Sequence, residues 1–440
     1  MPASANKRRA IGAVFLILFI DLMGFSIIFP LFPEMLEYYL SKAEPGSLLD
    51  QLEKWLETVT PELENKRFLV AVLFGGILGS LYSILQFIFS PIWGKLSDRL
   101  GRRRVLLITV TGTALSYLGW IFAGDFWILI ATRALAGIMS GNISVASAAV
   151  SDLTDEKNRT KGMAVIGIAF ALGFLIGPAI GGLSAQWNWV GCDRGLEAYG
   201  LNPFSAPAAI AFILAVINLI WIRRGFQETL PEQNRAEAIA REKDEPKRIS
   251  GLFHIPLPDI KRACMLNLLF TASFAGMEFT LTFLAVERFA YSTLDNGLMF
   301  VFIGFWLIIT QGGIVRRLAP KVGEKKLTLA GIACAVIAFS LIAVSETETV
   351  FYIALAFFAL GAGLVFASLS GLVSLYADPS EQGKYLGLYR SAGALARAFG
   401  PISAALIYFT FGSTYCYIVG TAVMVVPLMI ALKLRQPSKE

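Results

Sequence analysis

Twelve apolar segments, each long enough to cross a bilayer, decide what this chain can fold into. They fall near residues 10–40, 68–93, 104–123, 126–150, 160–188, 206–224, 262–289, 296–315, 327–345, 349–376, 383–411 and 413–434, and are numbered here as spans 1 to 12. One helical crossing takes about 20 apolar residues. The expected fold is therefore all-α and integral to a membrane. Composition agrees: 56% of the 440 residues are hydrophobic and only 16% are charged, against about 25% in a soluble domain.

Charge orients the spans. Between spans 2 and 3 stands Gly94-Lys95-Leu96-Ser97-Asp98-Arg99-Leu100-Gly101-Arg102-Arg103-Arg104. A short loop so rich in Lys and Arg resists translocation and belongs on the cytoplasmic side. With both termini inside, the cytoplasmic segments hold 29 of the 38 Lys and Arg. The net charge of +6 is thus spread over every second loop. It forms no continuous patch of the kind nucleic acid needs. Lys7, Arg8 and Arg9 before a long apolar run imitate a signal peptide. That run carries Asp21 and Pro30 and has no small-residue cleavage site, so it reads as a retained first span.

Two stretches are not spans. Residues 41–66 form an acidic external loop in which Leu48, Leu49, Leu52, Trp55, Leu56 and Val59 recur at helical spacing, with Ser47 placed to cap. That segment either lies on the outer leaflet or folds onto the span ends. Residues 225–260 are highly charged and read as a cytoplasmic linker. It joins a half at 1–224 to a half at 261–440. Internal echoes support two related halves. Gly177-Pro178 returns as Gly400-Pro401, and the basic turn at Gly94 has a degenerate echo at Gly313-Ile314-Val315-Arg316-Arg317. The echo lacks the Asp. Cys192, Cys264, Cys334 and Cys416 have no metal-ligand spacing, and His254 reads as a linker residue. Neither a cofactor nor a metal is expected.

The pattern Gly-x-x-x-Asp-Arg-x-Gly-Arg-Arg beginning at Gly94 resembles the signature loop of the major facilitator superfamily of transporters. Asp21-Leu22-Met23-Gly24 followed by Pro30 and Pro33 resembles the first helix of tetracycline-efflux-type drug/proton antiporters. Arg133-x3-Gly137 resembles the family's embedded arginine motif, and Gly173, Gly177, Pro178, Gly181 and Gly182 resemble its span 5 antiporter motif. Gly276-Met277-Glu278-Phe279-Thr280-Leu281 is similar to span 7 of the animal tetracycline-transporter-like proteins. The resemblance implies the major facilitator fold of two six-helix bundles. It also implies a cytoplasmic latch built from Gly94, Asp98, Arg99, Gly101 and Arg102.

A charge at mid-membrane costs about 2.5–3.5 kcal/mol on insertion scales, so each one there needs a reason. Asp21 lies about 18 Å beyond Arg9, near the bilayer centre, and Arg133 about 12 Å from Asp125. Either the two form a permanent ion pair, or they line a central cavity where Asp21 takes protons from either side. Arg390 and Arg397 stand two turns apart on one face of span 11. They suit a carboxylate or phosphate, whereas Asp21 and Glu278 suit a cation. If both carboxylates serve protons, the arginines are left for an organic anion or zwitterion. Phe25, Asn142, Phe279, Trp306, Gln311 and Tyr389 add aromatic and polar surface.

The expectation is a proton-coupled transporter exporting a small amphipathic organic solute, with Asp21, Glu278 and Arg133 in the coupling. A proton symporter or facilitator is the nearest rival, and a membrane sensor or enzyme a more distant one. No Walker sequence, metal-spaced set or nucleophile elbow is present. The expected partners are a small molecule, protons and the lipid bilayer of an inner or plasma membrane, with the protein a monomer.

Overall fold

The computed structural model describes residues 3–43, 45–46, 50–51, 54, 66–154, 156–230, 232, 257–377 and 382–436. Among them eleven helices are long and apolar enough to cross a membrane. The last of these, Gln382–Leu432, has 51 residues, about 77 Å of helix and more than twice a hydrocarbon core of about 30 Å. It is two spans. Gly412 leaves the helical backbone at φ 83°, ψ 172°, a conformation open to glycine alone. Around it the Cys416 thiol donates to the Ala404 carbonyl at 3.4 Å. In a straight helix those residues stand about 18 Å apart, so the chain turns back at Gly412. Twelve spans result, as the hydropathy requires.

Local chemistry shapes the individual spans. In span 1, Pro30 and Pro33 divide the helix Ala3–Ser26 from Phe32–Ser41 through a 3-10 turn at Phe29–Leu31, since each proline lacks a backbone donor. Span 4 starts where the Asp125 carboxylate accepts the Trp127 N–H at 2.7 Å. It is itself broken, into Phe126–Met139 and Asn142–Leu153. At that break a Cβ on Gly141 would fall 2.5 Å from the Trp93 Cβ, and the Trp93 indole donates to the Ile138 carbonyl at 2.6 Å. Span 8 runs from Thr293 to Val322 with a π-helical stretch at Ile309–Val315.

The chain packs as two compact units. The first comprises Met1–Ile27 and Ile84–His254. Its core is aliphatic: Val14, Ile17 and Leu18 of span 1 meet Val105, Val110, Val145 and Ala149. Spans 1 and 5 approach closely, because a Cβ on Gly173 would fall 2.6 Å from the Leu22 Cβ and one on Gly177 would overlap Ser26. The Ser26 hydroxyl donates to the Leu22 carbonyl at 2.8 Å or to Gly173 across the seam at 3.0 Å. Small residues let helix backbones come this near where lipid offers no hydrophobic drive.

The second unit comprises Ile28–Ser83 and Ile255–Glu440, so packing divides the chain differently from the halves expected at 1–224 and 261–440. Spans 7 and 11 meet as spans 1 and 5 do: a Cβ on Gly400 would fall 2.5 Å from the Ala272 carbonyl, and one on Gly276 would fall 2.7 Å from the Ala404 Cβ. Ile402, whose N–H is loosened by the preceding Pro401, donates to the Ser80 hydroxyl at 3.1 Å. Large apolar side chains such as Leu115, Trp127, Leu183, Ile213, Phe399 and Phe411 stand exposed, a surface suited to lipid. The chain is a multi-pass integral membrane protein.

Most of the 41–66 loop and of the 225–260 linker lies outside the described residues, as do Ser47 and the apolar stripe expected to follow it. Near that stripe, Asp50 pairs with Lys54 at 2.8 Å and accepts the Gly46 N–H at 2.6 Å. Lys54 and that N–H hold the Asp50 carboxyl below its ordinary range.

Candidate functional site

Asp21 sits on the helical part of span 1, half-buried, and its Oδ1 accepts a hydrogen bond from Asn142 Nδ2 at 2.9 Å. Asn142 is the first helical residue after the break in span 4, 1% exposed, and its amide oxygen accepts the Thr109 hydroxyl of span 3. The break therefore delivers an amide to Asp21, and three spans meet at one carboxylate. Sequence reading placed Asn142 on the cavity surface and did not foresee this chain. Arg133, 3% exposed, lies with its guanidinium 5.1 Å from the Trp120 ring centroid, a cation–π contact. Phe25 meets Phe174 edge-on at 6.1 Å.

In the second unit, Arg390, Gly393, Arg397, Gly400 and Ala404 share one face of span 11. Gly400 and Ala404 of that stripe press against span 7. A Cβ on Gly393 would lie 3.0 Å from Asn267 Nδ2 of span 7 and 3.8 Å from Arg397 Nη1. Arg397 thus faces span 7, yet its side chain is exposed. Among the described residues, Glu278, Tyr82 and Tyr389 act on Arg397 electrostatically. Asn267 also donates to the Tyr389 carbonyl at 2.8 Å. Tyr82 and Asn267 were not foreseen, because neither stands out in an apolar run.

Glu278 is half-buried on span 7 and feels the Arg397 charge. Among the described residues, neither Glu278 nor Arg397 makes a hydrogen bond or an ion pair. Arg390 is already engaged within the protein. Phe279 is 9% exposed and taken up by packing on Phe32 and Phe283, with ring centroids 5.7 and 5.3 Å away. Trp306 packs beside Phe302 and Phe305. Gln311 falls within the π-helical stretch of span 8, a distortion that recurs at functional sites.

The basic loop is a built cluster. Arg102, with 6% of its side chain exposed, donates to Asp152 at 2.9 Å and to Asp98 at 2.5 Å. The N-terminus of the span 3 helix is capped by Glu228. Its carboxylate accepts the N–H groups of Arg102 and Arg103 at 2.9 and 3.2 Å, the first donors of the span 3 helix and the positive end of its dipole. Gly94 lies near Ser144, and Arg99 is exposed but engaged.

The expected echo at Gly313 is displaced. Gly101 has φ 94°, ψ 152°, and the residue that repeats this backbone is Gly323, at φ 85°, ψ 153°. The echo matched Gly and Arg letters, whereas the turn itself is set by a backbone only glycine adopts. Among the described residues no group of His, Cys, Asp or Glu could hold a metal.

The sequence pattern of the Major Facilitator Superfamily matches residues 14–401 and 315–440. Major facilitator superfamily domain-containing protein 10 of Mus musculus is 34% identical over 100% of this chain and 95% of its own length. The Homo sapiens protein of the same name is 33% identical over 98% and 94%. A solved structure described as the human organic anion transporter MFSD10 (TETRAN) superposes with TM-score 0.75 at 32% identity, covering 98% of this chain and 100% of that one. By contrast, the class D tetracycline resistance protein of Salmonella ordonez is 29% identical over 98% of both chains. These identities correct the expectation of a tetracycline-efflux-type branch, since the organic anion transporter is nearer.

Proposed function

The chain belongs to the major facilitator superfamily, and from that premise we propose that it exports a small amphipathic organic anion in exchange for protons by alternating access. The family and fold are those of a transporter of a small organic solute, not of an enzyme. The observation that carries the anion is Arg397, a guanidinium on the packed face of span 11 that makes no ion pair among the described residues. An unpaired charge at this depth is costly to keep unless it has a ligand to meet. The description of a 32% identical structure as an organic anion transporter supports the same reading.

Asp21 carries the exchanged proton and Glu278 is second to it. Protonation removes the charge to which Asn142 donates and so weakens the tie among spans 1, 3 and 4, biasing the two access states. Arg133 tunes this region from span 4. One proton crossing 100 mV supplies about 2.3 kcal/mol. The span 5 glycines supply the close seam that resembles the antiporter motif. Asp98 and its basic neighbours act as a latch on the cytoplasmic side, with both termini cytoplasmic, in a monomer of an inner or plasma membrane.

Proteoliposomes with an imposed pH gradient test the direction. Anion moving against the proton flux is expected; anion moving with the protons would make the protein a symporter. In the same assay, Asp21→Asn should fold and lose gradient-driven flux. Undiminished flux would remove Asp21 from coupling.

A further inference from the structure

The helices of spans 3 and 6, Arg102–Ile121 and Ser205–Gly225, lie side by side and are tied at both ends. At one end Asn202 Nδ2 donates to the Ala123 carbonyl at 3.1 Å, and the Ser205 hydroxyl donates to the Ile121 carbonyl at 2.6 Å. At the other, proposed above to face the cytoplasm, Arg103 Nη2 donates to the Arg223 carbonyl at 2.6 Å. Each helix keeps an exposed stripe. On span 3 it is Arg104, Ile108, Thr111 and Leu115; on span 6 it is Ile213, Ile217, Ile220 and Arg224, with Trp221 beside them. Steps of four and three residues keep each set on one helix face. The Thr111 hydroxyl donates to the Leu107 carbonyl of its own helix at 2.7 Å, so the stripe asks nothing polar of its surroundings. Both stripes are thus suited to acyl chains until the basic end, where each finishes in an exposed arginine.

The charge at that end has one sign. Arg103, Arg104, Arg223 and Arg224 come from the two tied helix ends, and Arg104, Arg223 and Arg224 make no ion pair among the described residues. The Glu228 carboxylate is committed to the N–H groups of Arg102 and Arg103, while Asp98 and Asp152 are held by the Arg102 side chain. A guanidinium presents a fork of donors that fits a phosphate. The exposed Trp221 indole is of the kind that settles at headgroup level.

We propose that the tied ends of spans 3 and 6 bind one phospholipid of net negative charge, with its phosphate held by Arg104 and Arg224 and its acyl chains along the two stripes. A soluble anion would use the arginines and leave the apolar stripes bare. A zwitterionic lipid would cover the stripes but bring a further cation to an end already crowded with them. A lipid with an anionic headgroup satisfies both parts of the surface, and basic clusters between helix ends attract such lipids.

The test is native mass spectrometry of the purified full chain, offered an equimolar mixture of dioleoylphosphatidylglycerol and dioleoylphosphatidylcholine. Wild type should retain the anionic lipid at least about tenfold over the zwitterionic one, the scale expected of two arginines at a charged headgroup. Arg104→Gln with Arg224→Gln should bring that ratio to within about threefold. Lysine at the same two positions keeps the charge without the fork and should give an intermediate ratio. Lys326→Gln with Lys433→Gln removes the same charge from exposed positions of the second unit and should leave the ratio unchanged. Equal retention of the two lipids by wild type overturns the proposal, as does a ratio unmoved by the arginine variants or lowered as far by the lysine ones. Excess glycerol 3-phosphate, an anion without chains, should not displace the lipid; displacement overturns the lipid reading in favour of a soluble anion. Circular dichroism on each variant separates lost binding from lost fold, and if the glutamine pair does not fold, the lysine pair carries the comparison.

Discussion

The turn at Gly101 and the turn at Gly323 are the same piece of architecture with different chemistry on it. They lie 222 residues apart and share their backbone angles to within about ten degrees. In the first, Glu228 from beyond span 6 accepts the leading N–H groups, and the Arg103 side chain reaches the Arg223 carbonyl at 2.6 Å. In the second, Gln436 from beyond span 12 accepts the Lys325 N–H at 3.2 Å, and the Lys325 ammonium reaches the Leu432 carbonyl at 3.0 Å. The scaffold is repeated down to its caps. The charge cluster is not: positions 222 residues past Asp98, Arg102 and Asp152 hold Pro320, Glu324 and Ser374. A duplicated fold thus keeps what closes a turn and is free to vary what a turn does.

The largest effect should come from the residue with no counterpart. Arg102→Ala strands Asp152 and Asp98 around an empty site, and breaking a buried pair costs about 3–5 kcal/mol. Glu324→Gln, at the matching position, should change stability by no more than about 0.5 kcal/mol. Thermal unfolding in detergent compares the two, and equal losses would mean that the halves are not chemically unequal after all. Next come the seams. Gly177→Val and Gly400→Val each drive a side chain into the facing helix, and overpacking costs about 1–3 kcal/mol. Here the halves should suffer alike, because the same close approach is built in both. A smaller effect belongs to the caps. Glu228→Gln keeps an acceptor but gives up the charge at the helix N-terminus, a loss of about 0.3–1 kcal/mol. Gln436→Glu should shift stability the opposite way by a similar amount.

These contrasts mark how far the sequence could be read. Span number was legible because a run of apolar residues has one length scale, the bilayer. Even the turn hidden inside the 51-residue helix falls at Gly412, where the apolar segments had been divided. The break in span 4 was not legible: Ser140 and Gly141 barely alter the hydropathy of their neighbours, and only Trp93, some 48 residues earlier, shows why the helix parts there. Asp152 and Glu228 escaped for a similar reason, since they reach Arg102 from 50 and 126 residues away. Asp21, Glu278 and the arginines were visible because ionisable residues in apolar runs are rare.

The smallest expected change in stability is at Asp98, and it is the most informative about function. Asp98 has 47% of its side chain exposed while its partner Arg102 also holds Asp152. An exposed ion pair contributes about 0–1 kcal/mol, so Asp98→Asn should leave the melting temperature nearly unchanged. Position 320, its counterpart, is a proline and performs no such pairing, so the fold does not require a carboxylate at this place. If Asp98 belongs to a latch, anion flux in proteoliposomes should fall at least about tenfold while stability stays put, a separation that no merely structural residue produces. If flux and stability both stay at wild-type levels, Asp98 is an ornament on Arg102, and the inequality of the halves lies in Arg102 and Asp152 alone.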